Sequence, residues 1–184
     1  MKGLKVLLFG MCMALCACSS QTSTVQTSDK GTRWQWENGT IVVETPERPA
    51  GQKSVIGLAL PKMEAVRVGF VGLGMRGPGA VERFTHIPGT QVVALCDYEQ
   101  ERAERCQKYL EQASMPKAAV YSGEKGYEEL CKRDDIDLVY IATDWLHHFP
   151  VAMCAMENGK NVAIEVPSAM NLKECWDLIC LLYT

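Results

Sequence analysis

The chain has 184 residues, 47% of them apolar and 22% charged, with a formal net charge of -3. Those proportions belong to a globular protein, and the length allows one domain with additions. A slightly acidic chain offers no basic face to a nucleic acid, so that class of partner is set aside.

The first residues read as a leader rather than as part of a fold. "MKGLK" supplies two lysines and "VLLFGMCMAL" an apolar run of ten residues that includes one glycine. A membrane-spanning helix needs ~20, so this is the core of a signal peptide. It ends in "LCAC", residues 15–18, followed by "SSQTST". Leucine, a small residue and cysteine in that order resemble the lipobox of bacterial lipoproteins, which implies cleavage ahead of Cys18 and a diacylglycerol on its thiol. Residues 1–18 are therefore expected to be a lipoprotein signal peptide. The protein is expected to be exported, periplasmic or outer-membrane associated, and to meet the membrane through its lipid alone.

Residues 19–30 are rich in Ser, Thr and Gln and read as a flexible tether. "RWQWENGTIVVETPERP" alternates aromatic and polar residues around Asn38-Gly39, a hairpin signal, and residues 51–62 connect it onward. Residues 19–64 thus form a tether and N-terminal extension, and residues 65–184 the main domain. Nine cysteines would suggest disulfides in an exported protein. Three lie in the leader, and the other six (Cys96, Cys106, Cys131, Cys154, Cys175 and Cys180) form no CxxC or metal-type cluster. They are read as buried free thiols acting as small hydrophobes.

From residue 64 the pattern becomes strand, helix, strand, helix. "VRVGFVG" is a short apolar strand, and "GAVERFTHI" a helix opened by Pro78. "QVVALCD" is a second strand. "EQERAERCQKYLEQA" is an amphipathic helix, with Ala103, Cys106, Tyr109, Leu110 and Ala113 on one face. "AAVYS" is a third strand, followed by the short helix "YEELCKR". "DLVYIAT" is a fourth, "HFPVAMCAMENG" a helix stopped by Asn158-Gly159, "NVAIEVP" a fifth strand, and "LKECWDLICLLY" a helix capped by Asn171. Apolar strands alternating with helices predict an α/β fold, a doubly wound parallel sheet of Rossmann type. The last helix ends abruptly in "LICLLYT", which reads as a truncated chain.

Gly72, Gly74 and Gly77 form G-x-G-x-x-G between the first strand and first helix, the context that gives this pattern meaning. Gly72 would permit the tight turn, Gly74 a close approach of backbone to a pyrophosphate, and Gly77 close helix–strand packing. The helix N-terminus would stabilise the phosphate charge, and Arg76 could add a charged contact. Asp97 closes the second strand twenty residues on, where a carboxylate bonds the adenosine ribose hydroxyls. A carboxylate there repels a 2′-phosphate, so NAD is expected in preference to NADP.

With these elements on the page, "VRVGFVGLGMRG", "ALCD" and "TDWLHHFPVAMCAMENGKNVAIEVP" resemble the Gfo/Idh/MocA oxidoreductases, and within them glycosyl hydrolase family 109, the NAD-dependent α-N-acetylgalactosaminidases. The resemblance implies NAD contacts from Met75 and Arg76, from Asp97, from Trp145, Leu146, His147 and His148, and from Glu165 and Val166. Trp145 would pack against the cofactor, His148 would open a helix facing the nicotinamide, and His147 would be solvated. Most Gfo/Idh/MocA dehydrogenases resemble one another in a Glu-Lys-Pro motif whose lysine serves the reacting hydroxyl. Here Val166 stands in that place, as in family 109. The resemblance further implies a redox-neutral reaction on a sugar or glycan: oxidation at carbon 3, elimination, hydration and reduction. It also implies a C-terminal α/β substrate domain, missing from these residues, that carries the base. No catalytic residue and no metal ligand is therefore assigned. Three readings follow: the NAD-binding portion of a glycosidase, a portion of a sugar dehydrogenase, or a non-catalytic NAD-binding remnant. The motif at Val166 favours the first of these over the second.

Overall fold

The computed structural model describes residues 24–28, 31–45, 47, 50–52, 57 and 59–182. The leader and Cys18 lie outside the described residues.

A small antiparallel sheet comes first: β1 (Gln26–Thr27), β2 (Arg33–Glu37) and β3 (Thr40–Val43), in that spatial order. The Asn38-Gly39 hairpin forms as the sequence suggests, with φ of 48° and 79°, the pair of positive values that a two-residue hairpin turn demands. One expectation is corrected. The Ser/Thr/Gln-rich stretch is not all tether, because Gln26 and Thr27 pair with Trp34 and Arg33. The pairing is made by backbone groups and closed by a turn in which Thr32 donates its N–H to the Ser28 hydroxyl, so it leaves no trace in apolar periodicity.

The larger unit runs β4 (Val66–Val71), α1 (Gly77–Thr85), β5 (Thr90–Asp97), α2 (Gln100–Gln112), β6 (Ala119–Ser122), α3 (Gly126–Cys131), β7 (Leu138–Ile141), α4 (Trp145–Glu157), β8 (Asn161–Ile164) and α5 (Leu172–Leu182). Its five strands are all parallel, in the order β6-β5-β4-β7-β8. β4 is central, and the chain leaves it in one direction through β5 and β6 and in the other through β7 and β8. This is the doubly wound Rossmann sheet expected from the alternation of elements.

The pleat explains why both faces of the strands are apolar. Val68 and Phe70 point to the face covered by α1 and α2, where they pack with Leu73, Val81, Leu95, Ala103, Cys106 and Leu110. Val71 points to the other face, with Ala94, Cys96, Leu130, Val139, Ile141 and Val151. Aromatic rings of Phe70, Phe84 and Tyr140 meet on the first face, centroids 5.2–5.5 Å apart, the range that favours edge contacts. The amphipathic reading of α2 holds, its buried residues being Ala103, Cys106 and Leu110.

Helix ends follow their local signals. At the end of α4 the N–H of Gly159 reaches Met156 and that of Lys160 reaches Ala155, the paired bonds of a glycine C-cap. At α5 the Asn171 side chain accepts from the Glu174 N–H at 3.0 Å, and the Glu174 carboxylate accepts from the Met170 N–H at 2.7 Å. The uniform reading of the thiols is corrected. All six are free, but only Cys96, Cys106 and Cys131 are buried, while Cys154 and Cys180 are half-buried and Cys175 is exposed. α5 has no buried residue, so apolar composition alone did not decide which of its thiols faces inward. Burial pushes the Cys96 thiol up to about 12, which keeps it protonated and inert.

Candidate cofactor site

The residues singled out from the sequence come from four adjacent strands, and all lie beyond the carboxyl ends. The glycine loop follows β4, Asp97 ends β5, Trp145–His148 form the first turn of α4 after β7, and Glu165 and Val166 follow β8. Backbone bonds hold these four segments together. Gly72 donates to Cys96, Ala142 to Val71 and Glu165 to Ile141, each at 2.9 Å.

The three glycines differ in what they do. Gly72 has φ of +92°, and a Cβ on it would lie 2.4 Å from the Thr143 nitrogen. It serves both the turn and the close passage of β7's end. A Cβ on Gly77 would lie 2.0 Å from the Gly72 carbonyl oxygen, so the start of α1 packs directly on the turn. Gly74 is different. A Cβ there would meet only the Arg102 guanidinium, at 3.8 Å. Among the described residues nothing requires glycine at 74, and the vacant cradle faces outward with Met75 and Arg76, all three exposed.

The start of α1 is suited to an anion. Arg76 is its N-cap but makes no side-chain cap bond, and the first turn holds no carboxylate. The N–H groups and dipole of that turn are left facing the cradle beside Gly74. A pyrophosphate matches that donor set, and the residues present fit a dinucleotide.

Asp97 is 6% exposed. One carboxylate oxygen accepts from the Leu73 N–H at 2.6 Å and the other from the Glu99 N–H at 3.0 Å. It therefore braces the glycine loop and the β5–α2 turn, a duty its sequence position did not reveal. Arg102 of α2 lies beside it, 3.6 Å from one carboxylate oxygen.

The opposite flank is built from side-chain hydrogen bonds. Asp144, not a histidine, caps α4, accepting from the N–H groups of Leu146 and His147. Burial raises the Asp144 carboxyl, but the His147 ring and the Leu146 N–H outweigh this and hold it below the usual range. The expectation that His148 opens this helix is corrected. The helix starts at Trp145, because the Asp144 cap satisfies its first N–H groups three residues earlier. His148 is 1% exposed, and its Nδ1 lies 2.7 Å from the Pro167 carbonyl. A carbonyl only accepts, so Nδ1 carries a proton. Nε2 is buried and has no partner among the described residues. His147 is exposed, yet its ring is tied to Asp144 at 2.7 Å. Glu165 accepts from the Tyr140 hydroxyl at 2.7 Å, and the Val166–Pro167 peptide is cis. Tyr140, Asp144 and Pro167 were not among the expected site residues. For Asp144 a signal existed, an N-cap residue directly before an apolar helix.

Met75, Trp145, Leu146 and Val166 are all exposed, Met75 at 89% and Val166 at 83%. Four large apolar side chains at the carboxyl edge of one sheet offer apolar surface to rings. Among the described residues no group of three or more His, Cys, Asp or Glu side chains could hold a metal ion.

A glycine turn feeding an uncapped helix, at the point where a parallel sheet reverses its winding, defines a dinucleotide-binding Rossmann domain. The family model described as "Oxidoreductase family, NAD-binding Rossmann fold" matches residues 66–183, and the chain belongs to this Gfo/Idh/MocA family. Its cofactor is NAD. "Glycosyl hydrolase family 109 protein 4" of Phocaeicola vulgatus is 76% identical over 182 residues, covering 98% of this chain and 35% of the relative. "Glycosyl hydrolase family 109 protein 1" of Bacteroides thetaiotaomicron is 58% identical over 177 residues, covering 96% and 37%. The chain thus spans about a third of the length of the curated relatives it matches. Among solved structures, myo-inositol dehydrogenase from Lactobacillus casei, in complex with NAD(H) and myo-inositol, superposes with a TM-score of 0.56 at 26% identity, covering 64% of this chain and 33% of that one.

Proposed function

We propose that this chain is the NAD-binding portion of an exported glycosidase of family 109 type, acting on a sugar with no net oxidation. The observation that carries the reading is the 76% identity, over nearly the whole chain, to a protein named for that family. The site supports it. Gly74 and the start of α1 would hold the pyrophosphate, Asp97 the ribose, and Met75, Trp145, Leu146 and Val166 the apolar faces, with Arg76, His147, His148 and Glu165 completing the contacts. Bound NAD supplies reversible removal and return of a hydride at a sugar carbon.

What the chain's own residues do is bind, orient and exclude water. The His148–Pro167 and Tyr140–Glu165 bonds fix the two segments flanking the crevice, and the exposed apolar side chains displace water once a ring covers them. Val166 has no group able to accept a proton, so this position cannot deprotonate a sugar hydroxyl. That favours the glycosidase over a simple dehydrogenase.

Two measurements test this. Calorimetric titration of the chain with NAD is expected to show one site, and no binding would overturn the reading. A chimera joining this chain to the remaining two thirds of the Phocaeicola vulgatus relative is expected to cleave a chromogenic α-N-acetylgalactosaminide without accumulating NADH. NADH formed in step with sugar consumed would point to the dehydrogenase. Export and lipid attachment at Cys18 belong to the same proposal. Labelled palmitate should enter the protein in cells and should not enter the Cys18→Ser variant.

A further inference from the structure

Three thiols meet in the core on the α3–α4 side of the sheet. Cys96 of β5 and Cys131 at the end of α3 are buried there, and Cys154 of α4 packs against the same cluster half-buried. Such a group would suit a metal, but among the described residues no three or more His, Cys, Asp or Glu side chains are arranged to hold one. Packing asks only for small apolar groups, and Cys131 and Cys154 do more than pack. α3 and α4 lie against each other, and the Cys131 S–H donates to the Cys154 sulfur. The side-chain amide of Asn158, one turn further along α4, is a second donor to that sulfur, at 3.9 Å. The two sulfurs are therefore neighbours across a helix–helix contact.

The pair is not symmetric. Cys131 is 0% exposed, whereas Cys154 borders solvent beside the exposed Asn158. Burial pushes both thiols up, but the bond between them raises Cys131 further and pulls Cys154 back down. A reagent arriving from solution meets Cys154 first, and the same bond favours its thiolate, the reactive form.

We propose that Cys131 and Cys154 form a disulfide that staples α3 to α4, with Cys154 as the thiol of entry and Cys131 as the resolving thiol. The oxidant is a small disulfide, RSSR. The Cys154 thiolate attacks one of its sulfurs. A bond forms between Cys154 and that sulfur, the S–S bond of the reagent breaks, and the leaving thiolate takes up a proton to give RSH. Cys131 then gives up its proton and attacks the Cys154 sulfur, expelling a second RSH. Two protein thiols lose two electrons and two protons, and one RSSR gains them. Cys131 needs no access to solvent, because its target is the neighbouring sulfur. Export, as proposed above, would place the pair where such oxidants persist, but the chemistry needs only the pair and the reagent. The bridge closes a loop that contains β7, the Asp144 cap and the first turn of α4, so it braces one flank of the cofactor site.

The experiment is incubation of the folded full chain with oxidised glutathione, followed by alkylation of the remaining thiols and peptide mass mapping without reduction. The wild type is expected to yield two peptides joined through Cys131 and Cys154. Cys131→Ser leaves the mixed disulfide unresolved and is expected to accumulate one glutathione on Cys154. Cys154→Ser removes the thiol of entry and is expected to leave Cys131 unmodified. Misfolding cannot produce that contrast, because it would expose and modify whichever thiol remained. A folded wild type in which Cys131 and Cys154 stay as thiols, or join other cysteines instead, would overturn the proposal. Glutathione on Cys131 in Cys154→Ser, or none on Cys154 in Cys131→Ser, would overturn the order of attack. The oxidised wild type is expected to melt roughly 5 °C above the reduced protein, a shift absent from both variants. A joined pair without that shift would overturn the bracing.

Discussion

The two ends of the five-stranded sheet are built on opposite plans. At the amino ends of β4 and β7, side chains satisfy one another. Arg67 and Asp137 form a two-bond pair at 2.6 and 2.9 Å, the Arg67 N–H adds a third bond to the same carboxylate, and the Asp137 N–H returns one to the Arg67 carbonyl. Asn161 and Lys160 tie β8 and the loop before β7 into the same end. At the carboxyl ends, the backbone is compressed around glycines, α1 opens without a side-chain cap, and apolar side chains stand in solvent. One end closes on itself and the other keeps its donors and surfaces for something else. Parallel strands make the division possible, because every helix that follows a strand presents its N-terminus at the same edge.

The sharpest way to break this comparison is Gly77→Ala. The added methyl would overlap the Gly72 carbonyl, which is backbone and cannot swing away. A cost on the order of 3 kcal/mol is expected in urea denaturation, together with loss of NAD binding. An unchanged midpoint would mean that the turn is looser than its packing implies.

At the opposite end, Asp137→Asn is expected to lower the melting temperature by roughly 4 °C while leaving NAD affinity intact in the folded protein. The same pair predicts a pH dependence. Hydrogen bonding to Arg67 holds the Asp137 carboxyl at about 2, below its ordinary value of ~4. The stability it contributes is therefore complete above about pH 4 and is lost as the pH falls through about 2. Acid melts should show that loss in the wild type and a smaller one in Asp137→Asn. A fall in NAD affinity would blur the line between the two ends.

Gly74→Ala sharpens the comparison within a single loop. Its methyl meets only a guanidinium at ordinary contact distance, so stability should change by no more than ~0.5 kcal/mol. NAD affinity should fall about tenfold, equivalent to ~1.4 kcal/mol, because the methyl fills the cradle. Equal effects on folding and binding would show that Gly74 is structural after all.

The smallest expected effect is Tyr140→Phe, which removes the hydroxyl bonded to Glu165 and should cost ~0.5 kcal/mol, the low end for a net hydrogen bond. Calorimetry should show NAD affinity weakening alongside stability. A stability loss with binding untouched would mean that Glu165 needs no support to do its work.

The α/β alternation, the strand positions and the glycine turn were all legible in the sequence, because each rests on local rules: apolar runs, cap residues and a three-glycine spacing after a strand. The grouping of Gly72–Gly77, Asp97, Trp145–His148 and Glu165–Val166 at one edge follows from the same pattern, since loops after parallel strands share an edge. What each residue does there was less legible. Asp97 could be placed at the end of its strand, but not seen to brace Leu73 across 24 positions. His148 read as the start of a helix, yet Asp144 starts it and His148 is sealed against Pro167.

The sequence by itself therefore determined the class of fold, the cofactor and which segments share the carboxyl edge of the sheet, because periodicity and turn chemistry act between neighbours in the chain. Only the tertiary structure decided which glycines packing requires and which it does not. It alone showed that both Asp97 oxygens also brace backbone N–H groups, and that Arg102 turns back from its helix toward the glycine loop. These are contacts between residues far apart in sequence, and their geometry is fixed by how β4, β5 and β7 pack side by side, which no local pattern encodes.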